Sequence, residues 1–298
     1  MFTRLAIPVV TAVAVLAVPL PPQERFSFFR ASTPESVAQM LQLAALRDDD
    51  VVVDLGSGNG LIPLTAARMN PRLRGYGVDI DAKLVAESNE LARKEGLADR
   101  VRFEHRNAFD ADLRDATVIT MWLFPELMRL LRPVILERAR PGTRVVTSTW
   151  DLGTWTPDAT STDGPPIYLW IVPARVGGGW NWDLEIGGTT VPYSAVFEQQ
   201  FQKAEGVARA GGRREVLNDV TVRGATIQAR LDITIDGLGL TRHEFTGTVD
   251  GDNITGTAEI TPPNQAARTV PWRAQRTARP RYFEPTGTAL LPRPGGGW

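Results

Sequence analysis

The stretch VVVDLGSGNG, residues 51–60, decides the fold of this chain. Three consecutive valines without polar alternation predict a parallel strand that is buried on both faces. Asp54 then stands at the carboxyl end of this strand, where open α/β sheets bind their ligands. A turn with a glycine at every second position follows, and residues 61–69 predict a short helix after it. A strand, a glycine turn and a helix in this order indicate a nucleotide-type binding corner.

Strands and helices alternate on both sides of this corner, from residue 31 to about residue 150. The strands are predicted over residues 51–55, 75–80, 101–105, 116–124 and 143–150. A further apolar segment, residues 167–175, predicts an antiparallel strand at the edge of the same sheet. Such alternation is typical of a parallel, doubly wound sheet, so the predicted fold class is an α/β Rossmann-like domain.

The sequence pattern changes after residue 150. Residues 154–166 predict a loop, and the chain from residue 176 onward consists of short alternating segments separated by glycine turns. About eight antiparallel strands over about a hundred residues predict an all-β barrel or sandwich, which resembles the lipocalin-like up-and-down modules. Two interpretations of its interior stay open: a pocket for a lipid or a presented substrate, and a solid core, which is favoured.

The N-terminus carries a signal of its own. Arg4 precedes an apolar run over residues 5–20, and a proline-rich break follows. This arrangement is typical of a secretory signal or a membrane anchor, which would bring the protein to the cell envelope or periplasm. Pro8 and Pro19 disfavour the alternative, a packed core helix. Basic residues on both sides of the run leave the orientation open, so a position on the cytoplasmic face is not excluded.

These changes in pattern give four segments. We predict a signal peptide or membrane anchor over 1–23, an α/β domain over 31–175, a β domain over 176–278 and an irregular tail over 279–298.

Composition removes several function classes. The net charge of the 298 residues is −1, with both signs interspersed, so no nucleic acid partner is expected. The chain has no cysteine, which excludes disulfides, thiolate zinc sites and cysteine nucleophiles. Its two histidines, His105 and His243, lie far apart in the sequence, so neither a histidine-based metal site nor a Ser-His-Asp triad is supported.

The binding corner departs from the dinucleotide fingerprint. That fingerprint needs G-x-G-x-x-G, whereas this chain has G-x-G-x-G and places Leu61 where the third glycine would stand. Asp79 ends the second predicted strand, 25 positions after Asp54. A carboxylate at that place can accept hydrogen bonds from two ribose hydroxyls.

At these residues the sequence resembles the class I S-adenosylmethionine-dependent methyltransferases, whose first motif, D/E-x-G-x-G-x-G, is present in full over residues 54–60. The segments TPESVAQML, GYGVDIDAKLVAESNELARKEGLADRVRF and LFPELMRLLRP further resemble the small seven-strand protein-lysine methyltransferases of the ATP synthase c-subunit type. The resemblance covers residues 32–173, about half of the chain. It implies S-adenosylmethionine as cofactor and a protein, membrane proteins among the candidates, as substrate.

The resemblance also implies roles for individual residues. Asp54 would shape the methionine end of the cofactor, Asp79 would bind the ribose hydroxyls, and Ile80 would lie against the adenine. Asn107 stands where relatives have an acid that accepts from the adenine amino group. The implied cofactor-binding set is Thr33, Asp54, Gly56, Ser57, Gly58, Asn59, Gly60, Asp79, Ile80, Asn107 and Ala108.

The methyl acceptor is expected just after the fourth strand, where relatives place it. Here the chain has Trp122, Phe124 and Pro125 as the predicted acceptor site and Glu126 as the candidate catalytic residue. Aromatic walls favour loss of the lysine proton because desolvation penalises the charged amine, and Glu126 would hold or deprotonate that amine. Methyl transfer otherwise requires mainly that the acceptor, the methyl group and the sulfur atom are aligned and that water is excluded. The alternative is that these residues only pack in the core and begin a helix.

Three function classes remain. The first is a methyltransferase that acts on a protein lysine. The second is a small-molecule or lipid methyltransferase whose β domain presents the acceptor. The third is a non-catalytic, ligand-binding protein of the cell envelope, which the predicted export signal favours because S-adenosylmethionine is made in the cytosol. The intact glycines and both aspartates argue against this third class.

Overall fold

The computed structural model of the chain describes residues 31–279. The predicted N-terminal signal, residues 1–23, and the predicted tail from residue 280 onward lie outside this range. Among the described residues, no helix combines the length and the apolar character needed to cross a bilayer.

The first half of the described chain is an α/β sheet with helices on both faces. Its elements are α1 Pro34–Leu43, β1 Val51–Leu55, α2 Leu61–Met69, β2 Arg74–Asp79, α3 Ala82–Lys94, β3 Val101–His105, a 3-10 helix Ala108–Asp110, β4 Val118–Met121, α4 Pro125–Arg138, β5 Arg144–Ser148, β6 Ala159–Ser161 and β7 Ile167–Ile171. The strand order is β3-β2-β1-β4-β5-β7-β6. Strands β1 to β5 are parallel, and β7 runs antiparallel to its two neighbours. The doubly wound α/β fold class is confirmed.

The central strand β1 explains why the sheet needs helices on both faces. Val52 packs in one core with residues of α1 and α2, whereas Val53 and Leu55 pack in the other core with residues of α4. Alternate residues of a strand point to opposite faces, so an all-apolar strand has to be covered on both sides. Helices α1 and α3 begin at side-chain N-caps: Thr33 accepts from the Ser36 N–H, and Asp81 accepts from two backbone N–H groups at the start of α3.

Two details of the sheet differ from the sequence-based prediction. The segment 167–175 forms β7 only to Ile171 and lies inside the sheet, because β6, from the predicted loop 154–166, pairs outside it. A three-residue strand is too short to show a period in the sequence. The fourth and fifth strands end earlier than predicted, at Met121 and Ser148.

The second half is a closed antiparallel barrel of eight strands. They are β8 Gly178–Ile186, β9 Thr189–Gln200, β10 Lys203–Ala210, β11 Arg213–Arg223, β12 Thr226–Ile235, β13 Gly239–Asp250, β14 Asn253–Thr261 and β15 Arg268–Ala278. Each strand pairs with the next, and β15 closes the barrel on β8. Buried aromatic and aliphatic side chains, Trp182, Phe245 and Trp272 among them, form one cluster inside it. This filled interior agrees with the solid-core interpretation.

The barrel reaches into the core of the first half through one turn. Phe201, between β9 and β10, is only 5% exposed and belongs to the core that covers α4. Its ring stacks on Trp155 with centroids 5.7 Å apart, and the Arg132 guanidinium lies 5.1 Å from its centroid. Phe201 has a φ of 56°, a left-handed conformation that is costly for a bulky residue. Packing against the first core therefore holds this turn in a strained conformation.

Candidate functional site

The glycine turn after β1 is fixed against the end of β2. Gly56, Gly58 and Gly60 have φ values of 83°, 51° and 75°, a backbone region that side-chain-bearing residues rarely adopt. The backbone N–H groups of Gly56 and Ser57 both donate to the carbonyl oxygen of Val78 at 2.9 Å. The alternating glycines therefore let the chain turn sharply at the carboxyl edge of two neighbouring strands.

Space around the turn gives a second reason for glycine. A Cβ atom at Gly60 would lie 2.6 Å from the Phe103 ring, too close for any side chain. A Cβ atom at Gly56 would overlap the side chain of Leu123. Leu123 follows β4 in the loop that leads to the predicted acceptor residues, so this loop packs directly on the glycine turn.

Asp54 is the buried carboxylate of the site. It is 2% exposed, and its Oδ1 accepts a 2.7 Å hydrogen bond from the Thr120 hydroxyl on β4. Burial raises the pKa of Asp54 to about 7, with the charge of Asp79 raising it further and the Thr120 bond opposing the shift. Thr120 was not predicted from the sequence. Its only signal is a hydroxyl within an apolar strand, and the pairing of Asp54 with Thr120 depends on the strand register.

Asp79 ends β2 with its carboxylate toward the glycine turn. Its Oδ2 accepts from the Gly58 N–H at 2.8 Å, and its Oδ1 accepts from the Asp81 N–H at 2.9 Å. A carboxylate has about four acceptor positions, so roughly two remain for a ligand. Beside it, the Ser57 hydroxyl is buried and has no hydrogen-bond partner among the described residues. The corner thus offers acidic acceptors and one unused hydroxyl.

The residues predicted to bind adenine lie at the ends of β2 and β3. Ile80 is 52% exposed, and its carbonyl oxygen lies 3.0 Å from the His105 Nε2. Asn107 caps the 3-10 helix, because its Oδ1 accepts from the Phe109 N–H at 3.0 Å. Ala108, the first residue of that helix, is half-buried. The capping role of Asn107 was not anticipated, and the predicted bond to adenine would use the remaining lone pair of the same oxygen.

Thr33 and Asn59 are the outlying members of the predicted set. Thr33 is an exposed N-cap of α1, and its hydroxyl accepts from the Ser36 N–H at 3.2 Å. Asn59 is exposed within the glycine turn, and its Oδ1 lies 3.4 Å from the Leu61 nitrogen. Strand ends bring the other predicted residues together, and contact of all of these residues, Thr33 included, with a cofactor stays a prediction.

The predicted acceptor residues follow directly after β4. Trp122 is half-buried, and Phe124 is 58% exposed at the N-cap of α4. Pro125 is the first residue of α4, and Glu126 is exposed in its first turn, where the helix dipole favours a negative charge. The aromatic side chains and the carboxylate therefore flank the loop whose Leu123 contacts the glycine turn.

A second exposed aromatic side chain lies on the neighbouring strand end. Met121 pairs with Thr147, so the residues after β5 lie beside residues 122–124, which carry the predicted acceptor side chains and are called the acceptor loop below. Thr149 has a φ of 73°, which is an outlier for a β-branched residue, and Trp150 after it is 48% exposed. Trp150 was predicted to be the last residue of a strand, whereas the left-handed turn at Thr149 takes it out of the sheet.

The comparisons with known proteins concern the α/β half. The family model described as ANTKMT methyltransferase domain matches residues 54–159. A protein-lysine N-methyltransferase from Saccharolobus islandicus is 36% identical over 146 residues, which are 47% of this chain and 91% of that protein. The mouse adenine nucleotide translocase lysine N-methyltransferase is 29% identical over 140 residues, 47% of this chain and 56% of that protein.

One solved structure is similar over the same half. It is the crystal structure of an RNA methyltransferase from Salinibacter ruber in complex with S-adenosyl-L-homocysteine, with 39% identity and a TM-score of 0.48. The match covers 49% of this chain and 96% of that one.

Proposed function

The chain belongs to the S-adenosylmethionine-dependent methyltransferases, and on that premise we propose that it transfers methyl groups to a lysine side chain of a protein. The observation that carries the proposal is the loop after β4. Leu123 packs on the glycine turn, while its neighbours Trp122 and Phe124 line the open edge of the sheet. The acceptor loop and the cofactor corner are therefore in direct contact.

The residues of the corner fit S-adenosylmethionine, the cofactor of this enzyme. The buried Ser57 hydroxyl without a partner and the free acceptor positions of Asp79 suit the hydroxyl and amino groups of that molecule. Asp54 would attract a cationic amino group, and such a charge would lower its raised pKa and favour the carboxylate. When bound, the cofactor supplies a methyl group that is already activated by the adjacent sulfonium.

The open edge can supply what a lysine acceptor needs. An ammonium group must lose a proton before its nitrogen can accept a methyl group. Trp122, Phe124 and Trp150 would surround the aliphatic stem and exclude water, which favours the neutral amine. The exposed carboxylate of Glu126 would attract the ammonium and take its proton. Phe124 and Trp150 are 58% and 48% exposed, so a side chain that projects from a large partner can reach them.

The choice of lysine rests on this chemistry and on the relatives that are named for lysine methylation. A small acceptor presented by the barrel is less well supported, because buried side chains fill the barrel interior. The non-catalytic class is wrong, since the chain is a methyltransferase.

The test is transfer of radiolabelled methyl groups from S-adenosylmethionine into membrane and soluble extracts, with identification of the labelled product by mass spectrometry. We expect methylated lysine in protein. Trp122→Ala should reduce turnover by up to about a hundredfold through misplacement of the acceptor. Glu126→Gln should reduce turnover with little change in the affinity for S-adenosylhomocysteine.

The matched control is Glu137→Gln, an exposed glutamate in the last turn of the same helix. It should keep the full rate. Label found only in lipid or small molecules would contradict the lysine proposal, and full rates in both acceptor-site variants would move the acceptor elsewhere.

We also propose that residues 5–20 take the chain to a membrane, on the strength of their apolar composition behind Arg4. A fusion of residues 1–30 to a reporter that is active only outside the cytosol should give a signal. An active cytosolic reporter with no membrane-bound fraction would contradict this proposal and leave the methyltransferase proposal untouched.

A further inference from the structure

The outer wall of the barrel carries an apolar row that crosses three neighbouring strands. Val196 on β9 pairs with Val207 on β10, and Val207 pairs with Val216 on β11, so the three side chains lie next to each other. They are 59%, 47% and 59% exposed. Single exposed apolar side chains are normal on a protein surface, whereas a contiguous group of them indicates a contact surface. These three residues are the valine row.

Like charges oppose each other on either side of the valine row. On one side Glu198 of β9 directly opposes Glu205 of β10, and on the other side Arg209 of β10 directly opposes Arg214 of β11. All four are exposed, and within residues 31–279 none of them has an ion-pair partner. Like charges in directly opposed positions repel each other. The acidic pair and the basic pair would therefore both be stabilised by opposite charges on a surface that covers the row.

The order of these groups makes the wall complementary to itself. On β10, Glu205 and Arg209 lie two residues before and two residues after Val207, about 7 Å to either side of it. A two-fold axis that runs along the valine row, between two facing walls, places each valine opposite its own counterpart and exchanges the two sides. The acidic pair of each wall then faces the basic pair of the other. The same patch is used on both sides, as in the isologous contacts of symmetric dimers.

We propose that two copies of this chain form a symmetric dimer through the valine row. Facing sheets pack about 10 Å apart, a distance at which the valine side chains of the two walls contact each other and exclude water. Glu205 of each copy meets Arg209 of the other, and Glu198 and Arg214 flank these two pairs. The contact has an apolar centre, a charged rim and equal numbers of acids and bases, so it leaves no charge without a counterpart.

A second wall of the barrel shows which features matter. Glu244 on β13 directly opposes Glu259 on β14, and both are exposed and without an ion-pair partner in the described part of the chain. The next outward positions on these strands are Thr246 and Thr257, which also pair with each other. This wall therefore has an opposed acidic pair but neither an apolar row nor an opposed basic pair, so it is not complementary to itself. Glu244→Arg with Glu259→Arg is the matched control variant.

Charge reversal tests the proposal in the full chain. The basic variant combines Glu198→Arg with Glu205→Arg, and the acidic variant combines Arg209→Glu with Arg214→Glu. Each variant keeps like charges opposed within its own wall, so the repulsion inside one copy is unchanged and only the contact between copies is altered. Sedimentation velocity over a concentration series measures the dissociation constant of each dimer. Binding of S-adenosylhomocysteine at native affinity shows that the variants are folded.

We expect the native chain and the control variant to dimerise with the same dissociation constant. The basic variant alone and the acidic variant alone should each dimerise at least about tenfold more weakly, because like charges then face each other across the two-fold axis. An equimolar mixture of the two variants should form a dimer of at least native affinity, because every facing pair then joins opposite charges.

A native chain that stays monomeric throughout the concentration series would overturn the proposal. In that monomer, slow labelling of Val207→Cys by a maleimide would assign the valine row to another segment of the same chain, which has no cysteine of its own. A dimer that the basic variant and the acidic variant each retain at native affinity would also overturn the proposal, since the copies would then associate through a different surface.

Discussion

A buried histidine of the barrel and a buried aspartate of the cofactor corner differ in how many of their hydrogen-bonding positions are used within the protein. In the barrel, His243 is fully buried, with its Nε2 2.8 Å from the Tyr193 hydroxyl and its Nδ1 3.2 Å from the Leu231 carbonyl oxygen. In the α/β sheet, Asp54 has one side-chain partner and the neighbouring Ser57 hydroxyl has none. Both ring nitrogens of the barrel histidine are thus satisfied, whereas the polar groups of the corner keep positions for a ligand.

The geometry of the sheets explains this difference. An open parallel sheet has strand ends where turns diverge, and the cofactor corner lies at such an edge. A closed barrel has no free edge, and its buried side chains pack on each other. Two neutral indole N–H groups, of Trp182 and Trp272, lack partners inside the barrel, but they lie within an aromatic cluster and do not titrate. The unused hydrogen-bonding positions of Asp79 and Ser57 therefore lie at the open edge of the α/β sheet.

The largest effect is expected where the two regions meet. Phe201→Ala removes the ring that stacks on Trp155, and we expect a loss of about 3–4 kcal/mol in the free energy of unfolding. Phe124→Ala is the matched control, because its ring is 58% exposed and should cost less than about 0.5 kcal/mol. Chemical denaturation measures both. An unchanged midpoint for Phe201→Ala would mean that the barrel does not stabilise the first core.

The second effect concerns the cofactor corner alone. Asp79→Ala removes an acceptor from the Gly58 and Asp81 N–H groups and from the predicted ribose contact. We expect affinity for S-adenosylhomocysteine to fall roughly 30- to 150-fold, which corresponds to about 2–3 kcal/mol. Isothermal titration calorimetry measures this, with the exposed Asp99→Ala as the control that should bind normally. Equal affinity in both variants would remove Asp79 from the binding site.

The smallest expected effect is a gain in the free energy of unfolding, and it concerns Asp54→Asn. Burial raises the pKa of Asp54 from 3.8 to about 7, so the folded chain holds this proton more tightly than the unfolded chain. The contribution of the Asp54 proton to the free energy of unfolding is fully present below about pH 4, and it is lost as the pH rises through 7. Without cofactor, Asp54→Asn should therefore be more stable than the native chain by roughly 1–2 kcal/mol at pH 8.

The melting temperature at pH 8 and at pH 5 checks this prediction, since the gain should shrink at the lower pH. A variant that is less stable at both pH values would show that the carboxylate is stabilising. His243 titrates in the opposite sense: burial lowers its pKa, so its contribution is lost as the pH falls below about 6.5. A comparison of the two pH profiles separates the corner from the barrel.

Features carried by a local pattern could be predicted from the sequence. The valine strand, the glycine turn and Asp79 each depend on neighbours within a few positions, so composition and spacing were sufficient. Thr120 could not be assigned, because its bond to Asp54 depends on the register between two strands that lie far apart in sequence. Trp150 was hidden by the left-handed Thr149, which ends the strand without a glycine or a proline.

The barrel, too, combines features that a local pattern predicts with one feature that depends on a tertiary contact. Alternation and glycine turns predicted about eight antiparallel strands, and the barrel has eight. Nothing local indicated that Phe201 belongs to the other core. Its sequence context is an ordinary turn, and only the tertiary contact with Trp155 and Arg132 explains an apolar ring at that place.

The Phe201 contact also sets the order in which the first core can form during synthesis on the ribosome. Trp155 and Trp170 are fully buried in the finished molecule, but the ring that covers Trp155 is made 30 residues after Ile171, the last residue of the sheet. At 5–20 residues per second this delay is about 2–6 s. During that interval the catalytic half displays an uncovered tryptophan to every chaperone and protease nearby, and it completes its core only when the β9–β10 hairpin emerges.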